Sequence, residues 1–181
     1  MAPSIKKCFE LLNQKAVPEH IIKHSMQVKC IAQFLARSLN QRGEDIDVED
    51  LTAAALLHDI TKMEGLYSGE NHAKTGADLL RQLGYPRIAD IVEQHVILKE
   101  NEVNERITEE EILNYSDKRV RHDTIVTLRE RYDDLMKRYG KKEQEKVWIN
   151  RALQRSDRLE KKIFDRLGMN PDVLLSLHEG E

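Results

Sequence analysis

A chain of 181 residues, 40% hydrophobic and 34% charged, is long enough for one domain with a substantial core. Its formal net charge of −3 argues against a general nucleic-acid-binding surface, which carries a basic excess, so no stable nucleic-acid complex is expected. No run of 18 apolar residues is present to cross a membrane, and Cys8 and Cys30 match no thiolate zinc spacing, so the reading is a cytoplasmic protein with reduced cysteines and no signal peptide.

Few glycines and prolines, with recurrent Glu, Lys, Arg, Leu and Ala, predict an all-α fold. A first helix is expected over residues 4–14. Pro18 opens a second, reaching about Asn40, because proline is tolerated in a first turn. Residues 41–45, with Gly43, form a turn, and Asp47 is an N-cap for a helix over 48–61. Residues 64–71, with two glycines, read as a loop. A helix over 72–83 ends at Gly84, and Pro86 starts another to about Leu98. Thr108 and Glu111 form a capping box for a helix to about Arg119.

From His122 the chain reads as charged and helical. Ile125, Leu128, Tyr132, Leu135 and Tyr139 mark one face, a break falls near Gly140, and a second long helix reaches Leu167. Arg129, Arg131, Lys137 and Arg138 alternate with Glu130, Asp133 and Asp134, which reads as a solvated, ion-paired face. Trp148, with Val147 and Ile149, reads as packing. The expected organisation is a metal-binding helical domain over 1–121 and a helical C-terminal extension over 122–181 packed on it, with a homodimer through the C-terminal helices as one arrangement.

Helical residues three and four apart share a face. His24 shares one with Ile21, Val28, Ile31 and Leu35. His58 shares one with Leu51, Ala54 and Ala55. His72 lies over Gly76, Leu79 and Leu83, and His95 follows Ile88, Ile91 and Val92. Asp117 falls between Leu113 and Val120, and Asp59 adjoins His58 at a helix end. One histidine on an apolar stripe is ordinarily a hydrogen-bonded core residue. Five such positions and an adjacent acid are explained more economically by an ion that satisfies several buried polar groups at once. His24, His58, Asp59 and Asp117 suit a divalent transition metal: Mn, Fe, Co, Ni or Zn. His20 is four residues before His24 but lacks a companion Glu, and it is expected on the surface. His122 and His178 are expected to be structural.

The ordered set, with His24 in His-Ser-Met-Gln-Val, His58 and Asp59 in Leu-Leu-His-Asp-Ile-Thr-Lys, and Asp117 in Tyr-Ser-Asp-Lys, resembles the HD-domain metal-dependent phosphohydrolase superfamily over about residues 18–120. Thr61 stands where members often carry Gly. His72 and His95 match, by order, two further histidines that in the family bind a second metal or contact substrate phosphate. The stretch His-Ala-Lys-Thr-Gly-Ala-Asp-Leu-Leu from His72 is similar to the bacterial diadenosine tetraphosphate hydrolases, whereas Lys-Arg-Val-Arg-His-Asp after Asp117 departs from their acidic continuation. Gly84-Tyr85-Pro86 reads as a helix cap and a helix start, not as the signature of cyclic-di-GMP phosphodiesterases.

The resemblance implies an HD-domain helical bundle holding one metal ion or two, and a metal-activated water that attacks phosphorus in a small phosphorylated substrate, a nucleotide in the first instance. Asp59 would bind metal and orient the water. Lys62 is the foremost cation for the phosphoryl oxygens, with Lys118 and Arg121 after it. His72 and His95 are either acids for the leaving group or ligands to a second ion. The alternative reading is a non-catalytic nucleotide-binding module that signals through the C-terminal helices.

Overall fold

The computed structural model describes residues 1–99 and 106–177. His178 lies outside them. Among the described residues the chain runs α1 (Ile5–Gln14), α2 (Glu19–Asn40), α3 (Val48–Leu57), α4 (Lys62–Ser68), α5 (His72–Gln82), α6 (Pro86–Glu93) and α7 (Glu109–Lys118). A hairpin of β1 (Val120–Arg121) and β2 (Thr124–Ile125) follows. Then come α8 (Leu128–Tyr139), α9 (Glu143–Leu167) and a 3₁₀ turn over Pro171–Ser176. The fold is all-α, as the composition requires.

The bundle is organised by α3, which is N-capped by Asp47 through hydrogen bonds from the backbone N–H groups of Glu49 and Asp50. From Leu51 to Leu57 every residue is buried. A helix with no polar face can only be central. It packs against α1, α2, α6 and α7, and its C-terminal end therefore opens inside the protein and not at the surface. This is what places His58 and Asp59 in the interior.

The sequence predicts this helix through residue 61, yet it ends at Leu57. The cause is local. His58 Nδ1 lies 2.8 Å from the Ala55 carbonyl, the acceptor that helical continuation would give to the N–H of Asp59. The next backbone bonds are the tighter Ile60 N–H to Leu57 carbonyl and Lys62 N–H to Asp59 carbonyl, and they turn the chain within one residue pair of the His-Asp.

Residues 64–71, expected as a loop, instead contain most of α4. Gly65 is buried there, and a Cβ on it would stand 2.9 Å from the Glu70 carbonyl and 3.0 Å from His72 Cβ. The glycine serves a close approach between α4 and the start of α5, and Gly69 at φ 77° caps α4. α6 ends at Glu93, five residues short of expectation. The carbonyls of Gln94 and His95 are taken by Asn114 Nδ2 at 3.0 and 2.9 Å, so the chain bends where His95 enters the core.

The expected helix from His122 is corrected too. Residues 120–125 form the hairpin, with His122 at φ 58°, a left-handed turn conformation in which His is among the more tolerated residues. Thr127 and Glu130 then form a capping box that starts α8. The apolar residues Ile149, Leu159, Ile163, Phe164 and Leu167 of α9 join the same core cluster as α2, α3 and α7. Buried Arg119 ties these parts together: Nε donates to the Val126 carbonyl at 2.7 Å, and Nη1 donates to the Tyr115 hydroxyl at 2.6 Å and to Glu160 at 3.1 Å. No helix of the described residues is long and apolar enough to cross a membrane.

Candidate metal centre

Six side chains from five places in the sequence meet at the buried end of α3. His24 comes from the middle of α2 and Asp117 from the last turn of α7. His58 and Asp59 leave α3, His72 opens α5, and His95 follows α6. His24 Nε2 is 3.0 Å from Asp117 Oδ1, and His58 Nε2 is 3.7 Å from the same oxygen and 3.4 Å from Asp59 Oδ2. On the other side of Asp59, the Nε2 atoms of His72 and His95 lie 3.3 and 3.7 Å from Oδ1, and 3.1 Å from each other. Two donor groups result, His24–His58–Asp59 and Asp59–His72–His95, and they share one carboxylate. Every donor is buried except His72, whose side chain is 27% exposed.

Three of the four imidazoles are oriented identically. Nδ1 of His24, His58 and His95 faces the backbone carbonyl of His122, Ala55 and Val92 at 2.8, 2.8 and 2.7 Å. A carbonyl can only accept, so Nδ1 carries the hydrogen and Nε2 is turned to the cluster. This is the backbone support that metal-bound histidines ordinarily have. The left-handed His122 is part of it, since the hairpin brings that carbonyl to His24.

The donor set fits a cation on the structure's own account. His58 Nε2 and Asp59 Oδ1 are buried, and no hydrogen bond reaches either among the described residues. An unmade hydrogen bond on a buried polar atom costs about 1–3 kcal/mol, and more for a carboxylate. Two such atoms aimed into one cluster call for a shared positive partner. The electrostatics agree. Burial opposes ionisation of Asp59, but the imidazoles of His58 and His72 and the Lys62 ammonium outweigh it and hold the carboxyl well below its usual range. Burial likewise opposes a charge on His58, and the carboxylates of Asp59 and Asp117 override it and raise its pKa. A field that favours an imidazolium favours a bound dication. Burial, then the charge at His58, pushes His95 down to about 3, which keeps its ring neutral and able to ligate.

The cluster opens on a cavity of about 280 Å³ lined by His24, Asp59 and Lys62 from the centre, by His20 and His122 at its rim, and by Arg131 and Arg138 from α8. Lys62 Nζ donates to Asp59 Oδ2 at 2.5 Å. Lys118 Nζ is held between the His95 carbonyl and Asp117 Oδ2, each at 2.8 Å, and so braces two members of the cluster. Arg121, on β1, is not brought to the centre: it lines a shallow hollow with Glu130, Asp133 and Lys137. Sequence reading missed Arg131 and Arg138, which it assigned to a solvated face. The signal available was their seven-residue spacing, which puts both on the face of Leu135.

An all-α bundle with an interior His/Asp donor centre beside a cavity is compatible with a metal-dependent hydrolase domain. A family model described as HD domain matches residues 21–162. The uncharacterized protein MJ0778 of Methanocaldococcus jannaschii is 31% identical over 133 residues, covering 68% of this chain and 78% of that protein. No solved structure matches the chain. The chain belongs to the HD domain family, in which divalent-metal-dependent hydrolases are common.

Proposed function

We propose that this chain is a metal-dependent phosphohydrolase that cleaves a phosphate ester or anhydride of a nucleotide or related small molecule. The observation that carries this reading is the pair of orphaned buried atoms, His58 Nε2 and Asp59 Oδ1, within a donor cluster that opens on a cavity beside Lys62. His24, His58, Asp59 and Asp117 would hold one ion, and Asp59 with His72 and His95 a second. A divalent ion so held supplies Lewis acidity and a water acidic enough to lose its proton near neutral pH.

The chain's own residues do the rest. Asp59 accepts a hydrogen bond from the attacking water and so orients it. Lys62, fixed by Asp59, presents a permanent cation to the phosphoryl oxygens as charge develops there, and its pKa is raised above the ordinary value because Asp59 and Asp117 outweigh the effect of burial. With a single ion bound, His72, the more exposed of the second pair, hands a proton to the leaving oxygen; with a second ion bound, it is a ligand instead. His95 cannot hold one near neutral pH and serves ligation only. Lys118 keeps Asp117 and the His95 backbone in place.

The test is phosphate release from a panel of nucleotides, dinucleoside polyphosphates and sugar phosphates, by protein as isolated, stripped, and reloaded with Mn, Fe, Co, Ni or Zn. Selective turnover that fails on stripping and in His58→Ala is expected, with Lys62→Met lowering kcat by about 10²–10³-fold, as for loss of one charge-stabilising donor. Full activity in stripped protein contradicts the reading. Nucleotide-dependent stabilisation without turnover on any compound replaces it with a binding module.

A further inference from the structure

We propose that Arg131 and Arg138 of α8 form a second anion subsite over the metal centre, so that the substrate carries at least two linked phosphate groups. This rests on the phosphohydrolase reading and specifies its substrate class.

Arg131 is the most informative residue of the cavity wall. Its side chain is only 16% exposed, its Nε is buried, and among the described residues nothing hydrogen-bonds to that Nε. Its ion pair with Asp134, Nη1 to Oδ2, is long at 3.7 Å, and Asp134 is engaged more closely by Arg138. A guanidinium largely out of water and only loosely paired is under-compensated, and an anion in the cavity that Arg131 lines would offset that cost. The two arginines stand two helical turns apart and both line the cavity that holds Asp59 and Lys62.

The cavity's cations are Lys62, Arg131 and Arg138, with His20 and His122 at the rim. Its lining acids are Asp59, already bound by Lys62 and set among imidazoles, and Asp123, while Asp134 pairs with both arginines from outside the lining. With a divalent ion held at the cluster the balance becomes positive, which suits an anion. Lys62 and the metal cluster account for one phosphoryl group. The cavity, at about 280 Å³, approaches the roughly 300 Å³ at which small-ligand pockets begin, so it extends past a single phosphate. A planar fork of N–H donors, as on Arg131, suits the paired oxygens of a second phosphate better than a carbonyl or a hydroxyl. Arg138, stacked 5.6 Å over the Tyr139 ring and 40% exposed, extends the same positive wall toward solvent.

The experiment is calorimetric titration of the metal-loaded protein, with free manganese in excess, using methylphosphonate as a single-phosphate mimic and methylene diphosphonate as a linked pair that cannot be hydrolysed. Wild-type protein is expected to bind the diphosphonate at least tenfold more tightly. Arg131→Gln should lose about tenfold or more of that affinity, the range for a charge-assisted hydrogen bond, and leave methylphosphonate within threefold. Arg131→Lys should recover part of the loss. Thermal unfolding of Arg131→Gln should not fall, because the substitution removes an unmet buried donor, whereas a purely structural arginine would lower it. Equal affinity for the two ligands, or an equal loss of both in Arg131→Gln, overturns the subsite while methylphosphonate binding leaves the phosphohydrolase reading standing. Failure of both ligands to bind metal-loaded protein overturns both.

Discussion

Replacing Arg119 by Met is expected to unfold the protein early by disconnecting the metal centre's support from the C-terminal helices. Arg119 is 1% exposed and lies two residues beyond Asp117. Its Nε donates to the Val126 carbonyl that starts the approach to α8, and its Nη1 donates to Tyr115 of α7 and Glu160 of α9. Methionine fills similar volume, so the loss is in hydrogen bonding and not in packing. Three charge-assisted bonds at about 1.5 kcal/mol each give about 4.5 kcal/mol, within the range of about 3–5 kcal/mol that breaking a buried ion pair costs. Glu160, 24% exposed, can turn to water, and the Tyr115 hydroxyl keeps its bond to it at 2.5 Å, which argues for the lower edge. At about 2–4 °C per kcal/mol for a chain of this length, Tm falls by about 6–12 °C. Differential scanning calorimetry of both proteins measures it. Glu160→Gln should add less to Arg119→Met than it costs alone, because the pair shares one interaction. A drop under 2 °C would refute the assignment of Arg119 as the tie between α7 and α9.

Further outcomes follow from single features. Gly65→Ala drives a methyl into the Glu70 carbonyl and His72 Cβ, so it should destabilise by about 1–3 kcal/mol and, by displacing His72, weaken metal binding more than a neutral surface change of equal Tm effect; isothermal titration with the metal separates the two. Thr127→Ala removes the acceptor for the Glu130 backbone N–H at 3.2 Å and should cost about 1 kcal/mol, read as a Tm about 2–4 °C lower. Burial pushes the Cys8 thiol up to about 11, so its alkylation by iodoacetamide at pH 8 should run about a hundredfold slower than that of an unperturbed thiol; comparable rates would show that α1 detaches readily.

Much of the fold is written in local signals. Asp47 and Asn71 are caps where the sequence places helix starts, and the Thr108–Glu111 box closes through both of its bonds. The apolar stripes bring His24, His58, His95 and Asp117 inward, whereas His72 stays partly exposed and its stripe neighbour Leu83 faces solvent. What local signals do not carry is tertiary. The early end of α3 depends on a side chain taking a backbone acceptor, and that of α6 on Asn114 reaching from another helix. The helical α4 defeats its two glycines because one of them answers a contact with α5. The hairpin at residues 120–125 looks helical by composition, and only its packing turns it. Arg131 is indistinguishable from its solvated neighbours until α8 is laid over the cavity, since a charge run has no direction until the fold supplies one.

Whether the six donors at the end of α3, five of them buried, form a metal site is tested directly by metal stoichiometry, measured by inductively coupled plasma mass spectrometry on protein stripped, incubated with each divalent metal and freed of excess. One or two ions per chain are expected in wild-type protein. Asp59→Asn, which alters the carboxylate shared by both donor groups, should lose more metal than His95→Ala, which touches one group only. No retained ion with any metal, or equal retention in wild type and Asp59→Asn, would contradict the account.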